Sequence, residues 1–204
     1  SLSLLCAVGL GATQVVLPKF SADMVLSAWK RHPATFFPGV PVMFDRIVGR
    51  AGATGADLSS CKIAVCGAAA TPLAVARAWE EATGGVIIEG YGMTEASPII
   101  LGNPISPERR PGALGIPFPS TDVRVVDPDD PDVQVELLAR GPQIFPGYWG
   151  DPEETEATLL PGGWLRTGDL VRQEDDGFYV IADRRKELII SGGFNVYPTE
   201  VEAA

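Results

Sequence analysis

The chain has 204 residues, and its 26 acidic side chains outnumber 16 basic ones, leaving a formal charge of −10 at neutral pH. That balance argues against a protein that grips duplex nucleic acid or a membrane surface, because phosphate contacts need a basic face. Apolar residues make up 46%, which allows a packed core; Gly 23 and Pro 18 are about a fifth of the chain, rich in turns but short of the ~25–30% where low-complexity disorder begins.

Residues 2–10 are apolar, carry no basic residue before them and are too short for the ~20 residues a bilayer span takes. They read as a core helix. Residues 15–17, Val-Val-Leu, read as a buried strand. Ser21 then caps a helix through Trp29, with Met24, Val25, Ala28 and Trp29 at helical spacing. Residues 35–37 are extended into Pro38, and 40–48 read as a helix. Residues 62–66 form a strand ending at Gly67. Thr71-Pro72 reads as an N-cap with proline at the first helical position, and the helix runs to about Ala82 before Gly84-Gly85. Residues 86–89 are the next strand. Strand–helix–strand alternation of this kind predicts a parallel sheet with covering helices.

From about Pro111 the texture changes. Residues 122–127 alternate polar and apolar, residues 133–139 and 143–145 are short strands, and turn residues separate them. Asp151-Pro152-Glu153-Glu154 predicts one helix start, with two acids where the helix dipole favours negative charge. Strands at 170–172, 178–181 and 187–190 complete a β-rich segment. The expected class is therefore α/β: residues 1–118 an α/β subdomain of parallel sheet and flanking helices, 119–183 a β-rich, distorted-barrel subdomain, and 184–204 the start of something further. Opening inside an apolar run and stopping where a helix begins, the chain reads as an excised piece.

Three cysteines (Cys6, Cys61, Cys66) and a single histidine (His32) supply neither a disulfide framework nor a metal-ligand cluster, and they make a Ser-His-Asp or Cys-His triad improbable. The cysteines read as small core residues in a reducing cytosol.

Three stretches carry candidate chemistry. In Glu89-Gly90-Tyr91-Gly92-Met93-Thr94-Glu95, two glycines let backbone approach a ligand and Tyr91 offers a flat face to a planar ring. The Thr94 hydroxyl suits a phosphate oxygen, and Glu95 is a hard oxygen ligand suited to Mg²⁺. Alone, the heptapeptide is better read as a Gly-rich strand-end turn with an exposed acid. In the segment from Gly162 to Leu170, the two oxygens of Asp169 match the paired hydroxyls of a ribose, although an Asp after Gly is by itself more often a turn residue. In the segment from Asp183 to Glu202, a charge cluster precedes an apolar strand and a Gly192-Gly193 loop, and half of its charges are explained by solvation alone.

Taken together and in order, these stretches resemble the adenylate-forming superfamily, specifically the fatty acyl-CoA synthetases. Also matching are residues 67–72 (Gly-Ala-Ala-Ala-Thr-Pro), Pro111-Gly112 with Gly115, and Gly147-Tyr148-Trp149, so the resemblance covers nearly the whole chain. It implies that Gly67, Ala68 and Ala69, with Ala70, line an adenine pocket. Tyr91 flanks the adenine between Gly90 and Gly92, Thr94 meets the α-phosphate, and Glu95 helps to hold Mg²⁺. Asp169 grips the ribose hydroxyls with Arg184 in support. Lys186 sits at the hinge of a C-terminal lid, and Gly193 borders the pantetheine tunnel after the lid swings. Residues 36–41 resemble the stretch near the acyl pocket, with an aromatic core contact as the equal alternative.

The implied activity is AMP-forming fatty acid–CoA ligation, a step of lipid metabolism, with fatty acid, ATP and CoA as partners, no nucleic acid, no transmembrane segment and a cytoplasmic location; a homodimer stays open. The family's phosphate loop and lid lysine are expected outside residues 1–204, so this piece alone is expected to be inactive. The family's Gly-Glu-Leu stands here as Val135-Glu136-Leu137. Rival readings are an acyl-AMP ligase that delivers to a carrier protein, an aryl- or amino-acid-activating relative, a non-catalytic nucleotide-binding module and a purely structural domain. The absence of a long insertion before the hinge favours CoA over a carrier.

Overall fold

The computed structural model describes residues 2–67, 71–126, 135–184, 189–191 and 194–196. The chain packs as two compact units, Ser1–Tyr91 with Gly102–Gly112, and Gly92–Leu101 with Ala113–Ala204. Packing therefore groups the chain by strand neighbours and not by one cut: residues 92–101 leave the first unit and 102–112 return to it.

The first unit holds α1 (Leu2–Gly9), α2 (Ala22–Arg31), β1 (Phe36–Gly39), α3 (Pro41–Thr54), β2 (Ile63–Cys66), α4 (Leu73–Thr83) and β3 (Val86–Tyr91). The predicted alternation produces parallel pairing, with Phe36 opposite Ile63 and Ile63 opposite Val86. Helices α3 and α4 each stop at a left-handed glycine, Gly55 (φ 68°) and Gly84 (φ 66°). Cap assignment shifts by one residue at α4: Pro72, and not Thr71, is the N-cap. The core is aromatic, with the Trp79 ring 4.8 Å from Phe44, 5.7 Å from Phe37 and 6.3 Å from Trp29. Phe37 thus belongs to the aromatic core.

Three local expectations fail in this unit. Residues 15–17 form no strand, and Val15 and Val16 are exposed. A three-residue apolar run needs a ladder partner to become a strand, and none pairs with it among the described residues. The segment at 2–10 is helical, but Leu5, Val8 and Leu10 are exposed, so it is not a core helix. Cys6 on it is exposed too, whereas Cys61 and Cys66 are buried as expected. Burial pushes the Cys61 thiol up to about 11.

The second unit is β-rich. After a 3₁₀ turn at Thr94–Ala96 come β4 (Leu101–Gly102), where the chain re-enters the first unit, and β5 (Ile116–Pro117). Next are β6 (Asp122–Val126), β7 (Val135–Arg140), α5 (Pro152–Thr158), β8 (Leu159–Leu160), β9 (Trp164–Gln173) and β10 (Tyr179–Arg184). An antiparallel sheet runs β10-β9-β7-β6, with β8 paired to β9, and β11 (Ile189–Ser191) pairs antiparallel with β12 (Phe194–Val196) apart from it. Helix α5 starts as predicted: the Asp151 carboxylate accepts from the Glu154 N–H at 3.0 Å. The strand expected at 143–145 is a turn instead. Its polar groups are spoken for, since Gln143 Nε2 donates to Thr121 Oγ1 (2.7 Å) and the Phe145 N–H donates to the Glu95 carbonyl (2.8 Å). Among the described residues no helix is long and apolar enough to cross a membrane.

Candidate functional site

In the first unit the candidate residues Gly67, Gly90 and Tyr91 lie at the carboxyl ends of parallel strands, where open α/β sheets place ligands. Cys66 opposes Glu89 in the β2–β3 ladder, so Gly67 follows β2 beside Gly90. A Cβ on Gly67 would stand 3.5 Å from the Gly90 carbonyl oxygen, an ordinary contact, so the two glycines lie side by side at the strand ends. Tyr91 ends β3. Ala68 and Ala69 lie outside the described residues.

A network that the sequence reading missed braces this strand end. The Glu89 carboxylate accepts the Gly112 N–H through both oxygens (3.1 and 2.9 Å) and Asn103 Nδ2 through Oε2 (3.2 Å). Asn103 Oδ1 in turn accepts the Arg110 N–H at 2.8 Å, and Arg109 pairs with Glu80 at 2.9 Å. Burial raises the Glu89 carboxyl above its ordinary range, with the Gly112 N–H pulling the other way. The signal available in sequence was a lone acid inside an apolar strand, which a folded protein tolerates only with partners.

In the second unit, Gly92 lies where a side chain cannot: a Cβ there would run into the Pro98 carbonyl oxygen and come within 2.8 Å of Ile99 Cα. Thr94 is exposed and Glu95 half-buried on the 3₁₀ turn that follows. Glu95 is held at both ends. Its carbonyl accepts the Phe145 N–H, and its Oε1 accepts the Tyr148 hydroxyl at 2.8 Å. Tyr148 is fixed by an edge-on contact with Phe145 (4.8 Å between centroids) and by its N–H donating to Thr155 Oγ1 at 2.9 Å. Burial, with the Glu95 bond second, raises the Tyr148 hydroxyl, which therefore stays a donor at neutral pH. A Gly147-Tyr148-Trp149 motif was visible in sequence, but not what its tyrosine touches.

Asp169 lies on a strand and not on a simple turn. It follows Gly168 (φ 75°) inside β9, half-buried, and its N–H donates to Thr167 Oγ1 at 3.2 Å. In the β9–β10 ladder, Asp169 stands directly opposite Arg184. This register brings together two residues fifteen apart in sequence, at the spacing of an antiparallel pair. Lys186 and Gly193 lie outside the described residues. Among the described residues no cluster of three His, Cys, Asp or Glu side chains could hold a metal by itself.

The first unit thus carries Gly67, Gly90 and Tyr91 at the ends of parallel strands, and the second carries Asp169 and Arg184 at opposing positions of an antiparallel ladder. Comparison with known proteins gives the family: residues 1–149 match the AMP-binding enzyme model, and the chain belongs to the AMP-binding enzyme family. It is 40% identical over 203 residues to the long-chain-fatty-acid–CoA ligase of Bacillus subtilis (strain 168), covering 97% of this chain and 36% of that one. It therefore spans about a third of the length of this curated relative. The O-succinylbenzoate Coenzyme A synthetase of Bacillus subtilis in complex with AMP superposes with a TM-score of 0.85 at 29% identity, over 98% of this chain and 42% of that one. ATP-bound MatB from Rhodopseudomonas palustris superposes with a TM-score of 0.80 at 34% identity, over 94% and 39%.

Proposed function

We propose that the chain is part of an AMP-forming acid–thiol ligase that activates a fatty acid with ATP and passes the acyl group to CoA. The observation that carries this reading is the backbone register that sets position 169 opposite position 184, bringing an acid and a base from separate motifs together, the residue types that ribose hydroxyls and a phosphate call for. In the first step a fatty acid carboxylate attacks the α-phosphorus of ATP and expels pyrophosphate. In the second, the CoA thiolate attacks the carbonyl of the mixed anhydride and releases AMP. Catalysis of both steps rests on positioning and charge stabilisation and not on a covalent enzyme intermediate.

Each residue has a role in that scheme. Gly67, Ala68 and Ala69, with no side chain or a single methyl, leave room for the adenine, Gly90 and Gly92 flank Tyr91, and the Tyr91 ring covers the adenine face. Thr94 donates to an α-phosphate oxygen. Asp169 accepts from the ribose hydroxyls with Arg184 beside it. Lys186 serves as the hinge of a lid and Gly193 as part of the thiol channel. Glu95 fits Mg²⁺, an ion commonly held by one or two carboxylates plus substrate phosphates: Tyr148 occupies Oε1 and orients the other oxygen. Bound there, Mg²⁺ neutralises phosphate charge. In this reading residues 119–183 form the β-rich subdomain, 184–204 lead into the lid, and the enzyme works in the cytoplasm.

A second reading, an aryl acid as substrate, is favoured by the superposition on the O-succinylbenzoate enzyme. Pyrophosphate release by the full-length protein, offered fatty acids of graded length, aryl acids, CoA and a carrier protein, separates these readings. Release that requires a fatty acid, followed by acyl-CoA, is the expected result. Acid-independent behaviour, or acyl transfer only to the carrier, refutes it. Residues 1–204 expressed alone are expected to form no measurable acyl-CoA.

A further inference from the structure

Strand β7 carries a glutamate where a buried strand ordinarily has an apolar side chain. Glu136 is 4% exposed, flanked in sequence by fully buried Leu137. Both of its oxygens are used. Oε2 accepts from Arg166 Nε (3.1 Å) and Nη2 (2.8 Å), while Oε1 accepts the backbone N–H of Gly168 at 3.0 Å. That N–H belongs to the residue immediately before Asp169.

The reason lies in the ladder. Glu136 opposes Leu170 and Leu138 opposes Arg166, so one residue of β7 faces three of β9, residues 167–169. This is a bulge, and bulges re-aim side chains at the cost of ladder hydrogen bonds. Here side chains replace those bonds. Glu136 takes the Gly168 N–H, Thr167 Oγ1 donates to the Leu137 carbonyl at 2.8 Å, and the same oxygen accepts the Asp169 N–H. The carboxylate end of this ion pair is buried while the Arg166 side chain is 34% exposed, and burying a charge in this way is weak evidence for stability, since apolar residues would often serve as well. Its geometry points to another use.

We propose that the Glu136–Arg166 pair is a positioning device: it holds the 167–169 bulge so that the Asp169 carboxylate faces a nucleotide's ribose, and so sets the protein's discrimination for the ribose hydroxyls. This rests on the reading that Asp169 binds ribose. Glu136 does not touch the nucleotide; it acts through Gly168 and Thr167.

The test is calorimetric titration of the full-length protein with AMP and with 2′,3′-dideoxy-AMP. The unaltered protein is expected to prefer AMP by about tenfold or more, the scale of a hydrogen-bonded hydroxyl pair. Asp169→Ala is expected to erase that preference. Glu136→Gln keeps the shape but turns one oxygen into a donor, so either Arg166 or the Gly168 N–H loses its acceptor. It is expected to cut the preference about fivefold by weakening AMP, with dideoxy-AMP affinity held within about twofold. Thr167→Val, which removes only the hydroxyl, is expected to act in the same direction and carries the test should Glu136→Gln fail to melt cooperatively. If Asp169→Ala leaves the preference intact, the ribose reading fails and the proposal with it. If Asp169→Ala erases it while the folded variants at 136 and 167 retain it, or weaken both ligands equally, the positioning role alone is overturned.

Discussion

Replacing Gly92 by alanine puts a methyl group where backbone already stands. Its φ is not in the left-handed region, so conformational strain is no part of the penalty; space is the whole of it. The new Cβ would lie 2.8 Å from Ile99 Cα, about 1 Å inside the ~3.5–4.0 Å at which carbon atoms ordinarily rest, and closer still to the Pro98 carbonyl. Neither neighbour is a flexible side-chain tip. The strand behind them is anchored by Ile100 and Leu101, both fully buried, and by the Phe118 N–H donating to the Ile100 carbonyl at 2.9 Å. Relief must come from moving the 92–95 turn away from residues 98–99. Overpacking costs ~1–3 kcal/mol, and backbone neighbours place Gly92→Ala near the upper end, about 3 kcal/mol or about 150-fold in the opening equilibrium. Hydrogen–deuterium exchange of the 96–102 segment in the full-length protein should report the loss directly. Gly49→Ala, in the middle of α3 with nothing within 4 Å of the new methyl, is the control and should stabilise by roughly 0.5–1 kcal/mol. Exchange in Gly92→Ala unchanged to within about 0.5 kcal/mol would show that residues 92 and 98 do not pack this closely, and the reasoning about the turn would fall.

Other consequences follow from the same structure. Trp79 is fully buried among Phe44, Phe37 and Trp29, so Trp79→Ala should cost ~3–5 kcal/mol in urea unfolding; a loss under ~1 kcal/mol would deny the aromatic core. The Glu89 carboxyl is raised above its ordinary 4.5 by burial. A raised acid contributes stability below its unfolded value and loses that contribution as pH rises through the folded one. Glu89→Gln should therefore gain on the wild type as pH climbs from about 4 toward neutral, seen as diverging thermal midpoints; parallel midpoints contradict the burial argument. Tyr148→Phe removes a hydrogen bond to a charged group, of the class worth ~1.5–3 kcal/mol. It should weaken Mg²⁺-dependent ATP binding by about tenfold or more while leaving Mg²⁺-free AMP binding unchanged, and equal loss in both would remove Tyr148 from the role of orienting Glu95.

What the sequence determined by itself was everything governed by nearby residues. Helices with their own punctuation were legible: α5 from Asp151-Pro152, and α3 and α4 from their apolar spacing, with a glycine closing α4. Parallel pairing of β1, β2 and β3 followed from alternation, because a crossover helix leaves few other arrangements. The candidate site residues were named from the resemblance of several stretches in order, since each motif alone reads equally as a turn. Tertiary structure alone decided the rest. Val15-Val16-Leu17 and residues 143–145 have the composition of strands, yet a strand exists only where another offers a ladder. Burial of Glu136 and Glu89, the approach of Gly92 to Pro98 and the reach of Tyr148 to Glu95 join residues from six to fifty-three positions apart. No local pattern records such distances, because side-chain spacing along a chain reports which face a residue takes, and only the register between strands reports what it meets there.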